Sequence, residues 1–486
     1  YIIPESGAMW DPIMIAFGGT EIGGFISGSA TISVSIDGFE IHGGNKAATG
    51  RYVGVLYRNV NPGTVSNMNI HHMFDSDGEG DGPRTFGILA YGNSDVTIES
   101  NEIRDFSQGG IGAQGDAGSM VDPSAIIQGN TIYGNGLETG SGWWAENGIQ
   151  IEDGAGGSII DNDVTNCRVN HPGWVSSGIM VYDAADNVKV LNNDVTLCDV
   201  GIDVTSHSHD LVDSNTVSGC TWDGIRLGPP ADYVTVTNNT CYDNNYGITV
   251  YGANENLIQS NDLYENNYGI LLEGDSHNNK ILNNNIHHNN VNGISLATFN
   301  TNSPLGTQIH CNSIYENGGY GIHYYYILPP PSPIDATNNW WGDPSGPYHG
   351  TWWMHGSIQI GPHTEGLGDE VSDYVLYDDW KIGHHEVTVD VTPNSLNLQS
   401  KGNFMSLKIT SVPDGYTMSD IKGDTVKIIS SIPATLYDVT GQSFSAKFDR
   451  SDFEDWADPG EVNVLIMGQF SDGTWFYGYD TITAHS

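Results

Sequence analysis

The sequence predicts an all-β protein in which a parallel β-helix is followed by a β-sandwich. Two short signatures repeat in register over roughly 200 residues, and a later stretch alternates apolar and polar positions. The first signature is the pair Gly-Ile, which recurs mostly every 22 to 24 residues. Its glycines are Gly87, Gly110, Gly148, Gly178, Gly201, Gly224, Gly247, Gly269, Gly293 and Gly321.

The second signature is Asn-x-(Ile/Val/Leu/Cys), which lies upstream of each later Gly-Ile pair. It begins at Asn130, Asn162, Asn193, Asn215, Asn239, Asn261, Asn284 and Asn312. A unit of this length without a helical period fits one coil of a β-helix, whose inward side chains stack on the next coil about 4.8 Å away. The glycine serves a tight corner where a Cβ would clash or φ must be positive. A leucine-rich repeat would need another Leu spacing, and a propeller needs units of about 40 residues.

A third periodic position lies five residues after each signature asparagine. We expect the asparagines there to form a buried amide ladder and the cysteines to be stacked interior thiols. These residues are Asn135, Cys167, Cys198, Cys220, Asn244, Asn266, Asn289 and Asn317. A Cys167–Cys198 or Cys198–Cys220 disulfide is the alternative, because stacked coils bring Cα atoms within range. Cys241 falls in the apolar core, and zinc is not expected because no CxxC pair exists.

Composition restricts the partners of the chain. The 486 residues carry 16 basic and 59 acidic side chains, a net charge of −43. Binding to nucleic acid or to an anionic lipid surface is therefore excluded as a main function, and no apolar run predicts membrane insertion. Because the chain begins at Tyr1, we expect a mature secreted or cell-surface protein whose targeting peptide has been removed.

The coils are followed by the string Asn-Asn-Trp-Trp-Gly-Asp-Pro-Ser-Gly-Pro at residues 338–347. Over about residues 30–355, the coils and this string resemble right-handed parallel β-helix repeat proteins, which include periplasmic copper-site maturation proteins, pectate-lyase-like enzymes and archaeal surface proteins. The resemblance implies right-handed coils. It does not select an activity, because this scaffold carries lyases, epimerases, hydrolases, adhesins and structural proteins.

The pattern predicts three regions: a β-helix with an N-terminal cap and a Trp-rich end over 1–362, an acidic linker over 363–385, and a β-sandwich over 386–486. The last region alternates from Val387 and has turns at Pro413-Asp-Gly415 and Ser471-Asp-Gly473. It resembles a C-terminal module of secreted archaeal surface proteins, which implies display or assembly outside the cell.

An acidic, glycine-rich loop is a candidate calcium site. Asp75, Asp77, Glu79 and Asp81 alternate with small residues, and Ca²⁺ prefers six to eight oxygen ligands. The alternative is a solvated acidic loop. The adjacent histidine pairs, such as His71-His72 and His287-His288, are expected to point to opposite faces of a strand and hold no metal.

Candidate catalytic residues follow the Gly-Ile pairs on the outward face. Asp203 and Arg226 occupy one column, Asp153 and Asp183 lie at matched corners, and His207 is nearby. Such a set could supply a polysaccharide lyase with a charge neutraliser and a base. The alternative is a solvated sheet face with one ion pair of little energetic value.

Aromatic residues are candidates for binding a carbohydrate or a protein partner. Trp143 and Trp144 lie in the longest coil, and Tyr182, Tyr251 and Tyr325 lie on the outward face. Two functions therefore remain open. The first is an extracellular structural protein, stabilised by calcium, that self-assembles into a layer, sheath or filament or binds a cell-surface glycan. The second is a lyase or epimerase acting on acidic polysaccharides.

Overall fold

Short strands form most of the described part of the protein. Many alternate buried and more exposed residues, as in Asp163–Thr165 and Lys189–Leu191, whereas Thr85–Tyr91 and Asn147–Glu152 are buried throughout. The computed structural model describes residues 10–17, 20–22, 25–27, 33–44, 51–73, 85–115, 122–137, 145–170, 173, 175–206, 209–297, 304–326, 332–383, 385–398, 402–428, 432–440, 442–457 and 459–485. They fall into two units, the first comprising 1–336, 353–359 and 372–376 and the second 337–352, 360–371 and 377–486.

The first unit is a parallel β-helix, as predicted. Each coil contributes one strand to each of three parallel sheets, so that Val200–Thr205, Leu211–Asp213 and Thr216–Ser218 are followed by Asp223–Leu227 in the first sheet again. The first sheet contains, in order, Trp10–Phe17, Arg51–Arg58, Thr85–Tyr91, Gly109–Gln114, Asn147–Glu152, Ser177–Tyr182, Val200–Thr205, Asp223–Leu227, Tyr246–Tyr251, Tyr268–Glu273, Asn292–Ala297 and Tyr320–Tyr325.

The other two sheets are built from shorter strands. The second contains Val34–Asp37, Gly63–Ser66, Asp95–Glu99, Ser124–Gln128, Gly156–Ile160, Lys189–Leu191, Leu211–Asp213, Thr235–Thr237, Leu257–Gln259, Lys280–Leu282, Gln308–His310, Ile334–Asp335 and Val375–Leu376. The third contains Glu40–His42, Asn69–His71, Glu102–Arg104, Thr131–Tyr133, Asp163–Thr165, Asp194–Thr196, Thr216–Ser218, Thr240–Tyr242, Asp262–Tyr264, Asn285–His287 and Ser313–Tyr315. Thr20–Ile22 and Phe25–Ser27 form a hairpin, and Trp353–His355 pairs with Ile358–Ile360.

The Gly-Ile signature fixes both the core and the spacing of the coils. Ile179, Ile202 and Ile225 are in direct register and have no solvent exposure. Glycine precedes these isoleucines because the backbone of the next coil lies too close for a Cβ, and not because φ is positive. A Cβ at Gly201 would lie 2.5 Å from the carbonyl oxygen of Gly224, and no positive φ occurs at either residue.

The predicted amide ladder is present and a second one accompanies it. Asn244, Asn266, Asn289 and Asn317 are linked side chain to side chain at 2.9–3.1 Å. The signature asparagines form the second ladder, from Asn101 through Asn130 and the later coils to Asn312. Cys167, Cys198 and Cys220 are buried free thiols, and Cys241 is also in the core.

The second unit contains the predicted β-sandwich. One sheet contains His385–Glu386, Ser395–Asn397, Ile421–Ile428, Ile432–Pro433, Gly460–Phe470 and Trp475–His485, and the other contains Thr388–Thr392, Phe404–Ser411, Leu436–Thr440 and Ser443–Asp449. Their inner faces share one apolar core that includes Ile409, Phe444, Ile466 and Phe476. The segment 363–385, expected as a linker, contains the short strands Glu370–Val371 and Val375–Leu376.

Helices are short throughout the described chain. They are the 3₁₀ turn Met418–Asp420 and the α-helix Arg450–Trp456. Across these described residues, no helix has the length and apolar character that a membrane span requires.

Candidate functional site

On the outward face of the first sheet, an acidic and a basic side chain form an ion pair. Asp203 and Arg226 are register neighbours on consecutive coils. Arg226 donates from Nε to Asp203 Oδ1 at 3.0 Å and from Nη2 to Oδ2 at 2.5 Å, which is a bidentate ion pair. Ser177 and Thr205 also donate hydroxyl hydrogen bonds to Asp203, at 3.5 and 3.2 Å. These contacts hold the guanidinium in one orientation.

Asp223 belongs to the same group, although the sequence analysis did not select it. Its side chain is nearly buried, and Thr249 Oγ1 donates to its Oδ1 at 2.5 Å. Burial raises the pKa of Asp223 to about 6, and the carboxylates of Asp203 and Glu273 act in the same direction. The Thr249 hydrogen bond and the Arg226 charge oppose this shift. A carboxyl with this pKa can give or take a proton near neutral pH.

A periodic signal in the sequence could have identified Asp223. Asp223 directly precedes a signature glycine, and the register equates it with Tyr246 and Tyr268 on the next two coils. The rings of Tyr246 and Tyr268 are stacked with their centroids 5.2 Å apart. Glu273 is half-buried on the same face, and burial raises the pKa of its carboxyl. We call Asp203, Asp223, Arg226, Thr249 and Glu273 the polar cluster.

The other candidate catalytic residues lie elsewhere. Asp153 and Asp183 are exposed corner residues with φ of 56° and 45°, and the amide of Gly154 donates to the Asp183 carbonyl. Asp153 accepts a hydrogen bond from Gln114 at 3.0 Å. The two aspartates thus follow the strands at one border of the sheet. His207 lies outside the described residues.

The three candidate binding tyrosines form a single regular column. Tyr182, Tyr251 and Tyr325 are 48%, 41% and 42% exposed. Successive strand pairings show that three coils separate each tyrosine from the next, which corresponds to about 14 Å along the axis. The column between them contains Thr205 and Glu273, together with the small residues Gly228 and Ala297. The three exposed rings are therefore evenly spaced along the face.

A histidine lies at the far end of this face. The ring of His323 stacks on Tyr320 at 4.2 Å and contacts Tyr325 at 3.7 Å. Burial lowers the pKa of His323, which favours the neutral form of its imidazole. Trp143 and Trp144, and the acidic loop of Asp75, Asp77, Glu79 and Asp81, lie outside the described residues.

The tyrosine column and the polar cluster could each contact a bound ligand. Tyrosine rings present apolar faces that end in hydroxyl groups, which suits the apolar and polar surfaces of sugars. The polar cluster adds hydrogen-bonding groups and one carboxyl that can change its protonation state near pH 6. Among the described residues of the cluster, three carboxyl groups accompany one guanidinium.

Comparison with known proteins agrees with this architecture. The family model described as the right-handed β-helix region matches residues 17–212 and 177–326. The chain belongs to this family. No curated protein matches the sequence. The right-handed β-helix implied by the sequence resemblance is therefore confirmed, whereas an archaeal origin and secretion stay predictions.

Several solved structures share the fold of this β-helix protein at low identity. The periplasmic alginate epimerase AlgG is 15% identical, covering 60% of this chain and 74% of its own, with a TM-score of 0.42. The A-module of the Azotobacter vinelandii mannuronan C-5 epimerase AlgE6 is 15% identical over 64% and 91%, with a TM-score of 0.38. A mutant tailspike of E. coli bacteriophage HK620, in complex with a hexasaccharide, is 10% identical over 91% and 84%, with a TM-score of 0.43. These similarities concern the fold alone.

Proposed function

We propose that this protein binds an uncharged glycan along the outward face of its first sheet. The observation that carries the proposal is the column of Tyr182, Tyr251 and Tyr325, which places an exposed ring on every third coil. A polymer lying parallel to the helix axis would meet these rings in succession. A rigid aromatic platform binds at a low cost in side-chain entropy, because the rings have few rotatable bonds.

The charge of the face favours an uncharged ligand. The carboxyl groups of Asp203, Asp223 and Glu273 outnumber the guanidinium of Arg226 within the polar cluster, and Arg226 is already paired with Asp203. The whole chain carries a net charge of −43. A polyuronate would be repelled by this field, so we favour neutral glycans over the acidic ones that the sequence analysis considered.

Direct binding measurements test this proposal. Titration calorimetry with neutral oligosaccharides should give binding that Tyr251→Ala weakens about fivefold, because one stacked ring contributes on the order of 1 kcal/mol. Tyr133→Ala is a matched control, since Tyr133 is also 41% exposed but lies on the third sheet. Equal effects of the two substitutions, or preferential binding of a polyuronate, would contradict the proposal.

A second candidate function is cleavage of the bound glycan by acid–base catalysis. It is favoured by Asp223, whose pKa of about 6 allows it to be protonated near neutral pH beside a second carboxyl, Glu273. General acid catalysis of glycoside cleavage requires a protonated carboxyl of this kind. In this candidate function Asp223 donates a proton to the leaving oxygen as the glycosidic bond breaks, water adds to the anomeric carbon, and Glu273 takes the proton of that water. Arg226 orients the sugar through the guanidinium that Asp203 fixes. Product analysis of neutral oligosaccharides with the wild type and Asp223→Asn tests it.

Extracellular assembly is the remaining part of the proposed function. A layer, sheath or filament stabilised by Ca²⁺ at Asp75, Asp77, Glu79 and Asp81 would present the tyrosine column in many copies. Support for it comes from the acidic composition and from the glycine-rich spacing of these carboxylates. Light scattering with Ca²⁺ and with a chelator tests it: calcium-dependent growth in particle size supports assembly, and a 52.5 kDa monomer in both buffers overturns it.

A further inference from the structure

Three histidines meet on the third sheet near the N-terminal end of the β-helix. His42 is the last residue of the strand Glu40–His42, and its register partner His71 is the last residue of Asn69–His71. His72 follows directly. One ring nitrogen from each of the three imidazoles lies within 4.8 Å of the others. This convergence is distinct from the tyrosine column, which lies on the first sheet.

The backbone at His72 explains why these rings meet. His72 has a φ of 57°, in the left-handed region, so the alternation of a strand ends at that residue. The expectation that His71 and His72 point to opposite faces was therefore wrong. Their Nδ1 atoms are 2.5 Å apart, and the ring of His42 stacks on that of His72 at 4.1 Å.

We infer that His42, His71 and His72 form a binding site for a first-row transition-metal dication such as Zn²⁺. Three imidazoles are a preferred donor set for this class of ion. Tetrahedral Zn²⁺ with Zn–N bonds of 2.0–2.1 Å separates its nitrogen ligands by about 3.3 Å. The separations in this cluster, from 2.5 Å to no more than 4.8 Å, bracket that value. Small ring rotations are therefore enough to complete the site.

A carboxylate behind His71 prepares it as a ligand. Glu40 Oε1 lies 3.0 Å from His71 Nε2 and accepts its hydrogen bond. Because a carboxylate oxygen accepts this bond, the ring proton of His71 lies on Nε2, and Nδ1 is the nitrogen that faces His72 and would bind an ion. This is the carboxylate–histidine–metal arrangement that orients ligands in many zinc sites.

Asp105 lies beside His72 at the edge of the cluster and is not one of the three residues whose ligand atoms all lie within 4.8 Å of one another. It occupies the same corner as His72 one coil further on, with the same φ of 57°. Its Oδ2 is 3.6 Å from His72 Nδ1. An ion held by the three histidines would be coordinated by residues of two consecutive coils. The site would therefore cross-link the third sheet, and metal binding would stabilise the folded β-helix.

A second histidine pair in the same protein shows what a similar geometry lacks. His287 and His288 have Nδ1 atoms 2.7 Å apart, and Asp262 contacts His287 Nε2 at 3.1 Å. The register neighbours of His287 are Tyr264 and Tyr315, whose rings stack on it at 5.4 and 5.0 Å. Tyrosine thus occupies the place that His42 takes in the first cluster. His287→Ala is for this reason a matched control.

Zinc titration of the untagged, chelator-treated full-length chain tests the inference. Calorimetry should detect a site that His71→Ala weakens at least about 100-fold and Glu40→Gln weakens about 10- to 100-fold. His287→Ala should leave this affinity unchanged, and excess Ca²⁺ should not displace the zinc. X-ray absorption of the zinc-loaded protein should show imidazole nitrogens at about 2.0 Å.

The control for folding is circular dichroism of each metal-free variant. If His71→Ala does not fold, His42→Ala replaces it, because His42 is an exposed residue and its truncation leaves the core intact. The inference is overturned if folded His71→Ala or His42→Ala binds zinc as tightly as the wild type does. It is equally overturned if His287→Ala abolishes binding, or if the wild type binds no zinc at micromolar concentration.

Discussion

Replacement of Asn266 by alanine should lower the free energy of unfolding of the β-helix unit by about 3–5 kcal/mol. Asn266 Oδ1 accepts from the amide and the side chain of Asn244 at 3.0 and 3.1 Å, and its Nδ2 donates to Cys241 O at 2.9 Å and Asn289 Oδ1 at 3.1 Å. Alanine removes these four hydrogen bonds at a site without solvent exposure. Each is worth about 1 kcal/mol net, and an orphaned buried donor costs about 1–3 kcal/mol.

The neighbouring residue provides the control. Asn267 is exposed and contacts Asn245 Oδ1 at 2.9 Å on the surface, so Asn267→Ala should change stability by no more than about 0.5 kcal/mol. Urea unfolding of both variants gives the global effect. Hydrogen exchange at the Asn244 amide gives the local one, because this amide donates to Asn266. Equal unfolding midpoints for the two variants, or unchanged protection of Asn244, would refute the reasoning.

Three further substitutions test the core and the polar cluster. Asp210 is buried, and burial raises its pKa to about 7, so the folded state loses stability as pH rises from about 4 to 7. Asp210→Asn removes this effect and should stabilise the protein by up to about 4 kcal/mol at pH 8. The same substitution should have little effect at pH 4, and thermal unfolding at the two pH values measures the difference. Gly201→Ala should destabilise the β-helix by about 3 kcal/mol or more, because the new Cβ would lie 2.2 Å from Val217 Cγ1. Gly228→Ala is the control: its Cβ would approach only the Thr205 side chain, at 3.0 Å from the hydroxyl oxygen, so the loss of stability in the same assay should be much smaller. Asp223→Asn should abolish any glycan cleavage together with the limb of its pH profile near pH 6, while oligosaccharide binding measured by calorimetry persists; full activity in this variant would exclude Asp223 as the acid.

The inward-facing residues could be predicted because equivalent positions in successive coils must meet the same packing and hydrogen-bonding requirements. Each signature isoleucine must fill the same slot as its register neighbour, and each ladder amide must satisfy the coil on either side. The Gly-Ile signature is lost in a coil where another apolar residue fills the isoleucine position. Gly54 lies as close to the next coil as the later glycines do, yet valine follows it, so the Gly-Ile pattern does not include this coil.

The outward half obeys no such repetition, so its chemistry was only partly predictable. Asp203 and Arg226 were found together because both follow a Gly-Ile pair at the same offset. Asp223 was missed because it precedes the signature glycine, at a position where the register neighbours are tyrosines. Its raised pKa depends on burial by neighbouring coils and on the nearby carboxylates. Such effects depend on three-dimensional packing and have no counterpart in residue spacing.

The histidine cluster depends on a corner that recurs along the third sheet. The residue after the strand adopts a positive φ at His72, Asp105, Asn166, Leu197, Asp243, Glu265, His288 and Glu316. At His72 and at His288, this backbone brings the corner side chain onto that of the last strand residue. The in–out alternation of side chains along these strands therefore does not extend to the first residue after the strand. Two adjacent histidines at this corner are neighbours in space, and a third residue of the column decides whether they can share an ion. His42 in that column favours metal binding, whereas Tyr264 beside His287 does not.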